Sequence, residues 1–112
     1  MADPIYHGSK PKIHITFSQF SGNKKISDED VSVTIDLYVG KFDPSKVITL
    51  HKNDLTPVSG SDNEFVAVID TSALSSGANL FSRLTVAYTD PDTGKTVQDV
   101  RVQDQGIRIN AL

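Results

Sequence analysis

The sequence predicts a small all-β domain, an antiparallel sandwich of about seven strands. Three observations lead there. Apolar residues recur at every second position in several runs, which is the period at which a strand alternates its two faces. Turn-forming residues interrupt these runs about every eight to twelve residues. No stretch carries an apolar stripe at the 3.6-residue period over enough length to bury one side of a helix.

The strongest element is Val31-Ser32-Val33-Thr34-Ile35-Asp36-Leu37-Tyr38-Val39, where every odd position is aliphatic and Ser, Thr, Asp and Tyr take the even ones. One face is predicted to be core and the other wet, so Asp in place of Ile35 or Leu37 is expected to unfold the chain while matching changes at Thr34 or Asp36 cost little. Lys12–Phe17 alternates in the same way, with Ile13, Ile15 and Phe17 inward, and Lys46–Leu50 reads as a shorter strand. Glu64–Asp70 is apolar on both faces, the pattern of a central or doubly covered strand. In Leu80–Tyr88, residues Leu80, Leu84, Val86 and Tyr88 are in phase. Thr96–Val102 follows, and Gly106–Ile109 adds a last short strand.

The intervening residues have backbone reasons to be there. Pro91 presets φ for a type I turn in Asp90–Lys95 and Gly94 supplies a positive φ, so Leu80–Tyr88 and Thr96–Val102 are expected to be antiparallel neighbours. Ser59–Asn63 links Leu55–Val58 to Glu64–Asp70 as a second turn. Asp70–Gly77 reads as a single capped helical turn crossing from one sheet to the other. This strand count and spacing favours an immunoglobulin-like topology over a barrel, in one domain spanning residues 1–112 with a flexible or partner-dependent N-terminal arm of about ten residues.

Composition narrows the function. A chain of 112 residues holds one core and buries roughly two-thirds of its unfolded surface. The net charge is −3 and the basic residues are scattered apart from Lys24-Lys25, so no dense patch exists to displace counterions from phosphates and no nucleic acid is expected as partner. With no cysteine, disulfides, thiolate metal sites and cysteine nucleophiles are excluded. Met1–Gly8 has neither the basic nor the apolar region of a signal peptide, and no apolar run approaches the ~20 residues of a membrane span. Cytoplasmic synthesis without a membrane partner is the expectation.

Candidate chemistry is thin. His7, His14 and His51 are far apart, with no spacing that demands a metal or a catalytic group, and are read as structural. No serine sits in a nucleophile elbow, and the dispersed glycines form no phosphate cradle. Asp28-Glu29-Asp30 and Asp90/Asp92 could supply oxygens to calcium, but turn and cap hydrogen bonding accounts for them more simply. The chain is therefore expected to be no enzyme, with no catalytic, cofactor or metal residues. Tyr6, Phe20 and Phe42 fall in terminal or loop positions and are the candidate partner contacts, aromatic rings being common interface anchors.

The layout Asn63–Thr71, Ala73–Gly77, Leu80–Asp90, a Pro-Asp-Thr-Gly turn and Thr96–Val102, together with Tyr6–Lys10 and the Ile13–Phe17 strand, resembles the small immunoglobulin-like sandwiches of tailed-phage virions. Such domains decorate heads or anchor fibre and baseplate proteins. The resemblance implies a structural protein of a phage particle, located in the virion after synthesis in the host cytoplasm. It would dock on capsid or tail proteins in multiple copies, with a symmetric assembly. No functional residues transfer from it. The alternative class is an immunoglobulin-like cell-surface adhesion or glycan-binding module, for which a signal peptide and further domains would be expected.

Overall fold

The structure is a computed structural model that describes residues 5–17, 25–26, 28–61 and 63–112. Among these residues the chain is all-β, with eight strands: β1 (Ile5–Tyr6), β2 (Lys12–Thr16), β3 (Ser32–Val39), β4 (Ile48–His51), β5 (Thr56–Pro57), β6 (Glu64–Val68), β7 (Ala78–Thr89) and β8 (Thr96–Asn110). They form a five-stranded sheet in the order β1-β8-β7-β3-β4 and a three-stranded sheet in the order β2-β6-β5.

Alternation sets which side chains the two sheets share. Val33, Ile35, Leu37 and Val39 of β3 and Leu80, Leu84, Val86 and Tyr88 of β7 lie in one buried cluster with Ile13, Ile15 and Phe65 of the smaller sheet. Burying each such aliphatic side chain is worth about 1.5–3 kcal/mol. Phe17 and Phe65 meet edge to face at 5.7 Å. β6 is central, as its apolar pattern predicts, although Val68 on its outer side is exposed. The turn Thr71–Ala73 is a single 3₁₀ turn between the two sheets, and the Asp70 carboxylate caps it by accepting from the Ser72 N–H.

Three expectations are corrected. The five-stranded sheet is mixed, because β1 runs parallel to β8 through Ile5↔Ile109 and Tyr6↔Asn110. Two residues are too few to show alternation, so the sequence offers no sign of this strand. Secondly, residues 5–9, expected to belong to a flexible or partner-dependent arm, are bonded to the rest of the chain. The Thr71 hydroxyl is fully buried, donates to the Ser9 carbonyl at 2.7 Å and accepts from the Gly8 N–H at 2.9 Å. The His7 N–H donates to the Asn110 carbonyl, and its ring Nε2 lies 2.9 Å from the Leu74 carbonyl. Thirdly, Gly106–Ile109 is no separate strand: it continues Thr96–Val102 in β8, past a bulge opposite Asn79–Phe81. Gly106, at φ +70°, takes the left-handed backbone that the bulge requires.

The β7–β8 hairpin forms as predicted. Asp90 N–H donates to the Lys95 carbonyl and Gly94 N–H to the Asp90 carbonyl, both at 2.8 Å, with Gly94 at φ +71°. This turn fixes the register that places Val86 opposite Asp99, Leu84 opposite Arg101 and Arg83 opposite Val102.

Candidate interaction surface

The register decides what the outer face of the five-stranded sheet displays. Directly paired residues share a face, so Tyr38–Phe81–Asp104, Asp36–Arg83–Val102 and Thr34–Thr85–Val100 form three rows across β3, β7 and β8. Tyr38 stacks on Phe81 at 5.8 Å, and Phe42, from the loop after β3, meets Tyr38 edge to face at 5.4 Å. The Arg83 guanidinium lies 4.4 Å from the centre of the Phe42 ring. Its Nε and Nη2 both donate to Asp36 Oδ2, at 3.2 and 2.7 Å, while Asp36 Oδ1 accepts from the Thr49 hydroxyl. A cation held between a carboxylate and a ring face keeps one orientation, which makes this part of the surface preorganised.

The loop that carries Phe42 is built locally. Gly40 turns the chain at φ +71°, and its N–H donates to the Asn79 carbonyl. Asp43 Oδ1 then accepts from the Ser45 N–H and hydroxyl, and these bonds hold the Asp43 carboxyl below its ordinary range. The result is that Phe42 sits over Tyr38, which is buried although it lies on the polar-face register of β3. Beside this cluster Val100 and Val102 of β8 are 54% and 58% exposed.

Of the three aromatic residues singled out as contacts, Phe42 belongs to this cluster. Tyr6 is exposed on edge strand β1, opposite Asn110, and Phe20 lies outside the described residues. Tyr38, Phe81, Arg83, Val100 and Val102 share this face but are not marked as contacts by the sequence reading. The signal for Tyr38 and Phe81 was present: each is an aromatic residue out of phase with the buried set of its own strand. The valines become visible as surface residues only once the Asp90–Lys95 turn has fixed which β8 residue faces which β7 residue.

The histidines stay apart. His7 is used at the crossover, His14 is exposed on β2 opposite Val66, and the His51 N–H donates to Asp54 at 2.8 Å. Among the described residues no three His, Asp or Glu side chains gather as metal ligands would. Asp28 accepts from the Lys25 N–H, and the Lys52 ammonium donates to the carbonyls of Asp28 and Val31, closing that loop. The Thr93 hydroxyl and the Asp92 N–H both donate to Asp90 and hold its carboxyl below the ordinary range. An open cleft of about 420 Å³, lined by Val39, Lys41, Phe42, Asp43, Pro44 and Ser75, flanks the ring cluster. No described helix is long and apolar enough to cross a membrane. Compared with models of known protein families, with curated proteins and with solved structures, the chain matches none.

Proposed function

We propose that this chain is a non-catalytic structural protein of a phage particle, an immunoglobulin-like sandwich that docks on a capsid or tail component through the outer face of its five-stranded sheet. The observation that carries the docking part is the pairing of Phe42 and the fixed Arg83 with exposed Val100 and Val102 on one face. Aromatic and Arg side chains are the residues that most often dominate protein interfaces, and adjoining apolar area excludes water around them. The phage part rests on the resemblance of the strand and turn layout.

The test is sedimentation of a lysate of the natural source, followed with an antibody to the native chain. Travel with particles far heavier than 12.2 kDa supports the reading, and Phe42→Ala should then reduce the bound fraction. A chain that stays light, or follows the cell envelope, overturns it in favour of a free-standing adhesion or glycan-binding module.

A further inference from the structure

β8 has fifteen residues, but β1 covers its outer edge only at Ile109 and Asn110. Among the described residues no strand pairs with that edge over Thr96–Asp104. The hairpin fixes which backbone groups face it. Asp90 and Lys95 occupy a hydrogen-bonded position, so Val97, Asp99, Arg101 and Gln103 turn their N–H and C=O towards β7. Thr96, Gln98, Val100, Val102 and Asp104 turn theirs to the other edge, where no described strand pairs with them. The same parity holds at the far end of the strand, where the Asn110 carbonyl accepts from His7 on the β1 side. Such a row is a template for another strand.

The edge is self-complementary. Pairing with β7 is unbroken from Thr96 to Asp104, a segment whose midpoint is Val100. A two-fold axis there, with antiparallel strands, sets Val100 against its own copy, Gln98 against Val102 and Thr96 against Asp104. On the opposite face it sets Asp99 against Arg101 twice. These two side chains are 28% and 39% exposed and already lie 3.9 Å apart within one strand, so the dimer would bring four alternating charges together. Axes at the adjacent residues instead oppose Asp99 to Asp99 or Arg101 to Arg101, which is unfavourable. We infer that two copies of this chain associate edge to edge through β8, with the axis at Val100, to form one continuous sheet of ten strands. The dimer goes beyond the docking reading and does not depend on it.

The experiment is sedimentation equilibrium of the purified full chain up to about 1 mM, which reaches even weak association. The expected mass at the upper end is twice 12.2 kDa, and a chain that stays at 12.2 kDa throughout overturns the proposal. Asp99→Arg and Arg101→Asp, each confirmed folded by circular dichroism, put like charges opposite one another and should weaken self-association by at least about tenfold. Mixing the two variants should restore the dimer, because the introduced arginine faces the introduced aspartate while native Arg101 faces native Asp99. Mixing cannot repair the ion pair within either strand, so recovery reports contact between chains. Val100→Lys, which sets two ammonium groups at the axis, supplies a second route to the same loss. Unweakened association in these variants, or a mixture that stays monomeric, overturns the proposal. A monomer that still travels with particles would sink the dimer alone, and a dimer absent from particles would sink the docking reading alone.

Discussion

Strands β3 and β8 are written in the same alternating style and use it in opposite ways. In β3 the valines at 33 and 39 are buried with Ile35 and Leu37, and the polar residues face outward. In the middle of β8, Val100 and Val102 face outward, while Asp99, Arg101 and Gln103 share the side of Leu84 and Val86. The difference comes from position in the sheet. β3 lies between β7 and β4, with its inner row in the common core, whereas β8 lies beyond β7 and, among the described residues, has a strand on its other flank only at Ile109 and Asn110. Gln103 even reaches the Thr16 carbonyl of the smaller sheet with its side-chain amide. Alternation therefore reveals that a strand has two unlike faces, and the neighbours decide which of them is core.

The largest expected effect tests that statement with one substitution made twice. Val33→Asp places an unpaired carboxylate where 3% of the residue is exposed, at a cost of several kcal/mol against a total stability of about 5–15. Thermal melting followed by circular dichroism should show an unfolded chain. Val100→Asp, at a residue 54% exposed, should shift stability by only about 0.5 kcal/mol. Similar losses at both sites would mean that the outer side of β8 is covered.

A second contrast separates the glycines. At Gly40, just after β3, alanine meets a left-handed backbone at φ +71° and a neighbour, Ala78 Cβ, at 3.0 Å. At Gly106, in the β8 bulge, φ is +70° but nothing lies within 4 Å of an added Cβ. Backbone strain of about 1 kcal/mol applies at both, and crowding adds to it only at Gly40, for a total of about 2 kcal/mol or more. Urea unfolding of the two alanine variants should rank them in that order.

The ion pairs rank likewise. Arg83 bridges β7 to β3 with two donors on one Asp36 oxygen and lies over Phe42, whereas Arg101 reaches Asp99 on its own strand at 3.9 Å. Arg83→Ala should cost about 1 kcal/mol and Arg101→Ala a few tenths, measured at low protein concentration where edge pairing does not contribute. The same geometry revises one expectation from the sequence: Asp36, which also accepts from Thr49, will tolerate replacement less well than Thr34.

How far the sequence could be read follows from these cases. The strands were legible wherever alternation ran for five residues or more, as in β2, β3 and β7, and so was the hairpin, because Pro91 and Gly94 have specific backbone demands. β1 was hidden because two residues carry no period and their pairing is set by contacts far along the chain. The tie at Thr71 was hidden for a similar reason: a lone threonine does not disclose that its hydroxyl meets residues some sixty positions away. On the candidate surface, the sequence marks only Phe42. Tyr38, Phe81 and Arg83 become a cluster through the β3–β7 register, which composition does not contain.

The smallest expected effect concerns the turns that establish the two strands' different settings. Asp90 sets the hairpin into β8, and Asp43 sets the loop that folds Phe42 back over β3. Both carboxyls are held below their ordinary range, Asp90 first by the Thr93 hydroxyl and Asp43 first by the Ser45 N–H. A lowered folded-state pKa means that the ionised group contributes its stabilisation in full above the unfolded-chain value, and that this is lost as pH falls through the lowered one. Asp90→Asn and Asp43→Asn should therefore melt lower than the native chain near neutral pH. The gap should narrow on acidification from pH 7 to about 2, across and below the carboxylate range. A gap that stays constant would mean that the turns rely on hydrogen bonds an uncharged amide makes equally well. A gap that closes for Asp90→Asn alone would show that ionisation supports the β8 hairpin but not the loop over β3, extending the contrast between the two strands to the turns beside them.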